Sequence, residues 1–461
     1  MIRLILASLA IVLANFLWMR IRHPASIAMG ASMIIAFTLP AYWRLEAFGI
    51  PFPIPTLSAI ALLILYLVSG GSLRFRLTLP DLAVGLMMVV HCILDALFHQ
   101  GDWTVPARAY GEWMLIYATG RYAFGSLEAL HQARFQLATF ALVSLGVWII
   151  DVVTWVNLPM WLTEYVSSFE VPDKARRYGI VRSVGATTHP IFFAAIWMCM
   201  LPLLALGLSG RSEVPLRPLT ERFAFPLRYL LGGVAACGGF VLLSRGAVLA
   251  CLGGLLAYGC TRSRWFTLVL VLSVVGGATW GFQNREQVRD LWTRTGDFSD
   301  QRKTLVTVNG EVIEHSSTLA RLRIFDVYGT AAKRAGLLGY GSEAVSGFPP
   351  NIPHLPKEAL AIEKFWTVEN SYLLMLLRFG WVGLAAFVFL MLSPFWAATT
   401  WMDWDIRAEL QVLACGVLMM ALLLATVYPD YQMIGPLLFL LGIMSGWTDP
   451  RVTQAAEKAI A

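Results

Sequence analysis

The chain predicts an all-α, polytopic integral membrane protein, and three observations carry that prediction. Of 461 residues, 57% are hydrophobic and only 14% are charged, whereas soluble domains carry about a quarter charged residues. The apolar residues gather in runs of roughly 20, the length a helix needs to cross a bilayer. The arginines between runs fall mostly in short loops on alternate sides. That is the bias of membrane topology, so the net charge of +6 gives no reason to expect a nucleic-acid partner.

Taken in order, the spans fall at 2–19, 25–43, 52–70, 80–98, 106–122, 134–155, 187–208, 227–243, 246–261, 264–281, 371–397, 410–428 and 432–447. This makes twelve or thirteen transmembrane helices, because 106–122 contains Arg108, Glu112 and Arg121 and could instead lie flat. The opening MIRLILASLAIVLANFLWM lacks a small-residue cleavage site and reads as a spanning helix. Arg20, Arg22, Arg74, Arg76, Arg121, Arg211, Arg217, Arg222, Arg228, Arg262, Arg264 and Arg407 share one side, which is assigned to the cytoplasm. Loops 44–51, 99–105, 156–186, 282–370 and 429–431 then face outward, and thirteen spans place the N-terminus outside. The chain divides into an N-terminal bundle (1–281), a large outer loop (282–370), C-terminal helices (371–447) and a cytoplasmic tail (448–461). Trp18, Trp43, Trp103, Trp155, Trp161, Trp401 and Trp447 lie at span ends and read as interfacial anchors. All six cysteines lie in or beside apolar runs, so no disulfide framework or CxxC metal site is expected.

Loop 282–370 is too long for a plain connection. Ser316, Ser317 and Thr318 can cap a helix over 318–335, with Leu322, Phe325 and Ala332 as its apolar stripe. Gly339 and Gly341 allow a tight turn close to a ligand or to another backbone.

Arg182, Arg245 and Arg321 sit on the side where topology disfavours positive charge. An anionic, phosphate-linked substrate explains all three. Ser244-Arg245-Gly246 interrupts a hydrophobic hairpin; the alternative for Arg245 is a snorkelling residue that ends a helix. Arg182 precedes a helix N-terminus, where Thr187 and Thr188 add donors and anions are favoured. Arg321 begins RLRIF, with Arg323 on another face; the alternative is a surface ion pair. Glu369 and Asn370 stand at the mouth of the next span. Two readings stay open there: Glu369 as a general base, or a capping segment with Asn370 or Ser371 as the cap. Asp95, Glu112 and Asp151 fall toward the outer leaflet as partners for the arginines or as a second acid. His189, before Pro190, reads as structural.

These pieces, in order, resemble the O-antigen ligase and O-antigen polymerase superfamily of bacterial envelope glycosyltransferases. The matching elements are VRSVGATTHP, SRGA, ARLRIF, GYG and ENSYLLMLLRFGWVG, within about 180–395. The resemblance implies metal-independent transfer of a glycan from a polyprenyl diphosphate to a sugar hydroxyl on the periplasmic face of the inner membrane. Under it, Arg245 and Arg321, with Arg182, hold the diphosphate; with the residue reading added, Glu369, Arg245 and Arg321 are the catalytic candidates, and Arg182, Ser244, Asn370, Gly341 and Arg323 the substrate-binding ones. No cofactor and no metal is expected: the outer loops hold no ligand spacing of the HxxxH kind. One departure is Glu369, where many O-antigen ligases carry histidine.

The sequence reading is therefore a polymerase of lipid-linked repeats, making an exopolysaccharide or O-antigen. Its partners are the bilayer, the polyprenyl-diphosphate-linked glycan and a glycan acceptor; a flippase and a chain-length regulator would accompany it. A ligase acting on lipid A core or protein is the alternative. A transporter would instead place its charges at the midplane and show internal repeats.

Overall fold

The computed structural model describes residues 2–73, 76–98, 103–166, 176–177, 180–181, 183–208, 245–263, 304–308, 311–315, 317–347, 349–356, 366–400 and 404–449, with scattered positions in 265–284. Its helices are α1 (Ile2–Arg20), α2 (Ala25–Ala36), α3 (Ile54–Val68), α4 (Leu79–His91, continuing as a π-helix over Cys92–Phe98), α5 (Thr104–Tyr110, continuing as a π-helix over Gly111–Leu115), α6 (Ile116–Ala123), α7 (Leu127–Gln132), α8 (Arg134–Thr154), α9 (Leu158–Val166), α10 (Pro190–Gly207), α11 (Arg245–Arg262), α12 (Ser317–Arg334), α13 (Ser342–Ser346), α14 (Ser371–Thr400), α15 (Trp404–Leu424) and α16 (Tyr431–Trp447). Among the described residues six helices are long and apolar enough to cross a membrane, and four more are apolar but shorter. The chain is an all-α polytopic membrane protein. Span 227–243 lies outside the described residues. Span 25–43 is cut short: the helix ends at Ala36 and turns lead to Pro40, because the residue before a proline is pushed out of the helical region.

Among the described residues three antiparallel strand pairs interrupt the helices: Arg44–Ala47 with Ile50–Pro53, Arg176–Arg177 with Ile180–Val181, and Thr304–Val308 with Glu311–His315. The third is written in the sequence as β-branched alternation around Asn309-Gly310, a strong hairpin signal.

From Arg108 to Arg121, segment 104–123 runs parallel to α16. At one end the Arg108 guanidinium sits over the Tyr431 ring, 5.6 Å from its centroid. At the other, Arg121 meets Ser445 and Asp449. Close approach replaces hydrophobic drive between helices in lipid: a Cβ on Gly120 would collide with the Phe439 carbonyl, and one on Gly442 with that of Tyr117. The Arg121 end is a buried polar knot. Its guanidinium pairs with Asp81 and Asp449, each at 2.9 Å, and Tyr117 donates to Asp81 at 2.7 Å.

Helices α10 and α16 form the interior, with nearly every side chain of α16 buried. Helices α1 and α8 are largely exposed, as lipid-facing helices are. Of the tryptophans read as anchors, Trp18, Trp103, Trp155 and Trp161 are exposed, but Trp43 and Trp447 are buried. The Trp43 indole donates to Thr163 and that of Trp447 to the Phe124 carbonyl; an indole N–H taken into the core needs such an acceptor. Trp401 lies outside the described residues.

Helix α12 occupies the region expected for the outer-loop helix and packs on α14. Its buried stripe is Ile324, Val327, Tyr328, Ala331 and Ala332, set against Val368, Leu373, Leu374 and Leu377. The expected stripe was wrong by about a third of a turn: Phe325 is half exposed, although Ala332 is buried. The side chain of Leu322 lies outside the described residues.

Helix α14 is broken at Gly380, whose φ of 64° and ψ of −158° are not helical. Trp381 and Val382 would ordinarily donate to the carbonyls of Leu377 and Arg378. They donate instead to Gly336 (3.1 Å) and Leu337 (3.2 Å), and those two carbonyls accept from Tyr340 (2.8 Å) and Gly341 (2.9 Å). Segment 336–341 is thus spliced into the break, and every group opened by it is satisfied, as apolar surroundings require. A Cβ on Gly339 would stand 2.5 Å from the Arg378 carbonyl, and one on Gly380 would strike Leu337.

Candidate functional site

Four segments read as outward loops converge on one cavity of about 660 Å³. The first hairpin contributes Gly49 and Pro51; the start of α5 contributes Thr104, Val105 and Arg108. Ser342, Glu343 and Ser346 of α13 and Trp366–Val368 come from the large loop, and Tyr428–Tyr431 closes the remaining side. Its floor is membrane helix: His91 of α4, with Leu374, Met375 and Arg378 of α14. Arg378 is the eighth residue of α14, about 10 Å along the helix from its start at 1.5 Å per residue.

The charges of this cavity are specifically arranged. Arg108 donates through Nε to Glu112 at 2.7 Å. Asp430 caps α16, accepting from the Gln432 N–H at 2.8 Å. Burial raises the Asp430 carboxyl above the usual carboxylate range, against the opposing pull of that N–H and of Arg108. Burial also raises the Tyr428 hydroxyl, and the charges of Asp430 and Glu369 add to the effect. On the floor, His91 Nδ1 lies 2.9 Å from Asp95 Oδ2, while Asp95 Oδ1 accepts from the Ser342 N–H at 2.8 Å. The His91 ring also rests against Phe379, with centroids 4.7 Å apart. Both members of the pair are buried, and the α-to-π transition between them falls at Cys92; such bulges are frequent at functional sites.

The sequence-selected residues distribute as follows. Glu369 is half-buried and follows Val368, which lines the cavity. Asn370 caps α14: its Oδ1 accepts from the Leu373 N–H at 2.9 Å and its Nδ2 donates to the Ala425 carbonyl at 2.9 Å. Ser371 donates to the Val427 carbonyl at 2.6 Å, so the mouth of α14 is tied to segment 425–430. Arg245 opens α11, and Gly246 beside it abuts Thr426. The backbone of Arg245 therefore stands next to the same segment. Gly341, with φ 90°, precedes α13 and holds the Arg378 carbonyl. Arg321 and Arg323 lie on α12. The side chains of Arg245, Arg321 and Arg323 lie outside the described residues, as do Arg182 and Ser244 altogether.

Other expectations change. The Thr187 hydroxyl donates to its own loop, at Val184 and His189, and Thr188 is bound to Gln432 through backbone and side chain; these groups fasten the loop to α16. His189 is structural, accepting from the Ile191 N–H at the start of α10. Asp151 gathers donors from Asn157, Ser183 and the Val184 N–H, so it organises a loop. Sequence reasoning passed over His91 and Arg378. The available signal was an ionisable residue well inside an apolar run, which by default marks a functional position.

A search of curated proteins finds no match for this chain. Residues 230–388 match the family model described as O-antigen ligase. That segment takes in ARLRIF, GYG and ENSYLLMLLRFGWVG, the α14 break and the loop spliced into it, and over it the chain is similar to the O-antigen ligase family.

Proposed function

We propose that this protein is a glycan-transferring enzyme that polymerises polyprenyl-diphosphate-linked oligosaccharide repeats on the periplasmic face of the bacterial inner membrane, building an exopolysaccharide or O-antigen. The observation that carries the reading is the cavity itself. It opens where outward-assigned loops meet, its floor is membrane helix, and it carries arginine beside the Glu369–Asn370 segment. A lipid-linked donor needs that combination: an anionic head at the membrane edge and room for sugar beside it.

In this mechanism an acceptor sugar hydroxyl attacks the anomeric carbon, and its proton passes to Glu369. The bond to the diphosphate breaks, and Arg245 and Arg321, with Arg182, stabilise the departing charge as preorganised cations. Ser244, Arg323, Asn370 and Gly341 complete the substrate site, Asn370 and Gly341 by fixing backbone around it. No metal or cofactor is required, and the lipid bilayer, the lipid-linked donor and the glycan acceptor are the molecular partners. A flippase would supply the donor and a chain-length regulator would set product size. The second reading, a ligase delivering glycan to lipid A core or to protein, is favoured by the description of the matched family. Glu369, in place of the histidine many ligases carry, favours the polymerase.

The test is turnover of lipid-linked repeat by purified protein in excess chelator. General-base catalysis contributes typically 10²–10⁴-fold, so Glu369→Gln lowers the rate on that order. Arg245→Lys loses most activity, because an ammonium does not reproduce a bidentate guanidinium contact. A strict requirement for added divalent metal, or a Glu369→Gln rate above about a tenth of wild type, overturns the respective assignment.

A further inference from the structure

We infer that Arg378 is an anion-binding residue at the floor of the cavity, built to take the phosphate oxyanions of a lipid; this rests on the reading above and adds a cation to it. Arg378 lines the cavity. Among the described residues its side chain forms no ion pair; its Nη2 donates to the neutral Ser346 hydroxyl and its Nε has no hydrogen-bond partner. Asp95 is the carboxylate whose charge acts on it; one Asp95 oxygen accepts from the Ser342 N–H at 2.8 Å, and the other lies 2.9 Å from His91 Nδ1. Arg108 is engaged too, with Glu112. The half-helix ending beside Arg378 offers at its C-terminus only about half an elementary negative charge, and the Leu377 and Arg378 carbonyls there already accept from Tyr340 and Gly341. A guanidinium set along a membrane helix with no carboxylate in contact is costly, and an incoming oxyanion lowers that cost.

The position is also fixed in advance. Gly341 clamps the Arg378 carbonyl, Gly339 lies against it, and the break at Gly380 stops the helix two residues on. From a backbone held this way the guanidinium offers a fork of donors that suits phosphate, which accepts two parallel N–H bonds. The phosphate has two available sources, the diphosphate of a polyprenyl donor and the headgroup of an anionic phospholipid.

The experiment uses the full-length protein in phosphatidylcholine nanodiscs, with undecaprenyl diphosphate, phosphatidylglycerol or uncharged undecaprenol added as probe and occupancy read by native mass spectrometry. Wild type retains a phosphate-bearing probe and not undecaprenol. Arg378→Gln weakens that binding roughly ten-fold or more, the loss expected for a charge-assisted bidentate contact. A second pair of variants spares the arginine: Ser346 is exposed, and Ser346→Asp places a carboxylate against the guanidinium where Ser346→Asn does not. Ser346→Asp binds the probe at least ten-fold more weakly than Ser346→Asn. Loss confined to undecaprenyl diphosphate assigns the site to the donor; loss confined to phosphatidylglycerol assigns it to a bilayer headgroup. Equal binding by Ser346→Asp and Ser346→Asn, or wild-type binding by Arg378→Gln, overturns the inference while leaving the proposed activity standing. Failure of wild type to bind undecaprenyl diphosphate at all counts against the proposed activity instead.

Discussion

Arg121 is the residue whose loss should be felt most, because a buried ion pair broken on one side leaves charge in the interior. It is buried between Asp81 and Asp449, and truncating it strands two carboxylates in the interior. Breaking one side of a buried pair typically costs about 3–5 kcal/mol, so Arg121→Ala should lower the melting temperature sharply and reduce the yield of monodisperse protein on size exclusion. Retention of the wild-type melting temperature would mean that water reaches the knot. In the sequence this arginine read as one more topology charge, and its side of the membrane says nothing about what it bonds to. The same holds for Trp43 and Trp447. A tryptophan near a span end looks alike whether it meets lipid or an acceptor such as Thr163, because the acceptor comes from a distant part of the chain. Asn370 was easier: the residue before a helical run, with a side-chain acceptor, caps it, and it does so here.

At the scale of single elements, the break in α14 is the feature with the most exacting residue requirement. A side chain at Gly380 meets both a φ/ψ pair that is essentially confined to glycine, worth about 1–3 kcal/mol for an ordinary residue, and the backbone of Leu337. Gly380→Ala should therefore destabilise by more than the φ penalty alone, seen as a lowered melting temperature. The neighbouring exposed substitution Trp381→Phe should cost much less. If the two variants melt alike, the loop is not held in the break. Helix α14 was legible as a span because its apolar run is long. The break was not, since one glycine in such a run leaves the composition of a spanning segment unchanged. The LLGYG turn was read as a close approach to a ligand or to another backbone; the described contacts are with the backbone of α14. The hairpin over 304–315 was missed although Asn309-Gly310 announces it, because the long loop was read only for helix.

Across the whole molecule, charge bias sorted the loops before any contact was known, and four of the five it placed outward meet at one cavity. The argument is physical on both sides: arginine flanks fix which ends share a leaflet, and packing then brings those ends together. The helix count was harder, because α2, α3 and α16 are shorter than the bilayer is thick and are apolar for reasons of burial as well as span. The cavity floor was hardest, since His91 and Arg378 come from helices far apart in sequence. Sidedness is measurable. In a cysteine-free background, Phe48→Cys and Glu343→Cys, both at exposed positions, should react with a membrane-impermeant maleimide added outside. Ile21→Cys, also exposed, should react only after permeabilisation. Labelling of all three from one side would invalidate the arrangement of the cavity.

The splice of 336–341 into α14 also sets an order of events during synthesis. The loop leaves the ribosome before the helix that receives it, and if it faces outward, as the charge bias predicts, it must cross the bilayer before it can dock. Residues 371–400, apolar throughout most of their length, would enter the membrane as a run able to close its own hydrogen-bond ladder. The native form requires that ladder to open at Leu377 and Arg378 and to accept the amides of Tyr340 and Gly341 in exchange. Insertion of this helix and completion of its fold are therefore separate steps, and the second waits on translocation of the loop.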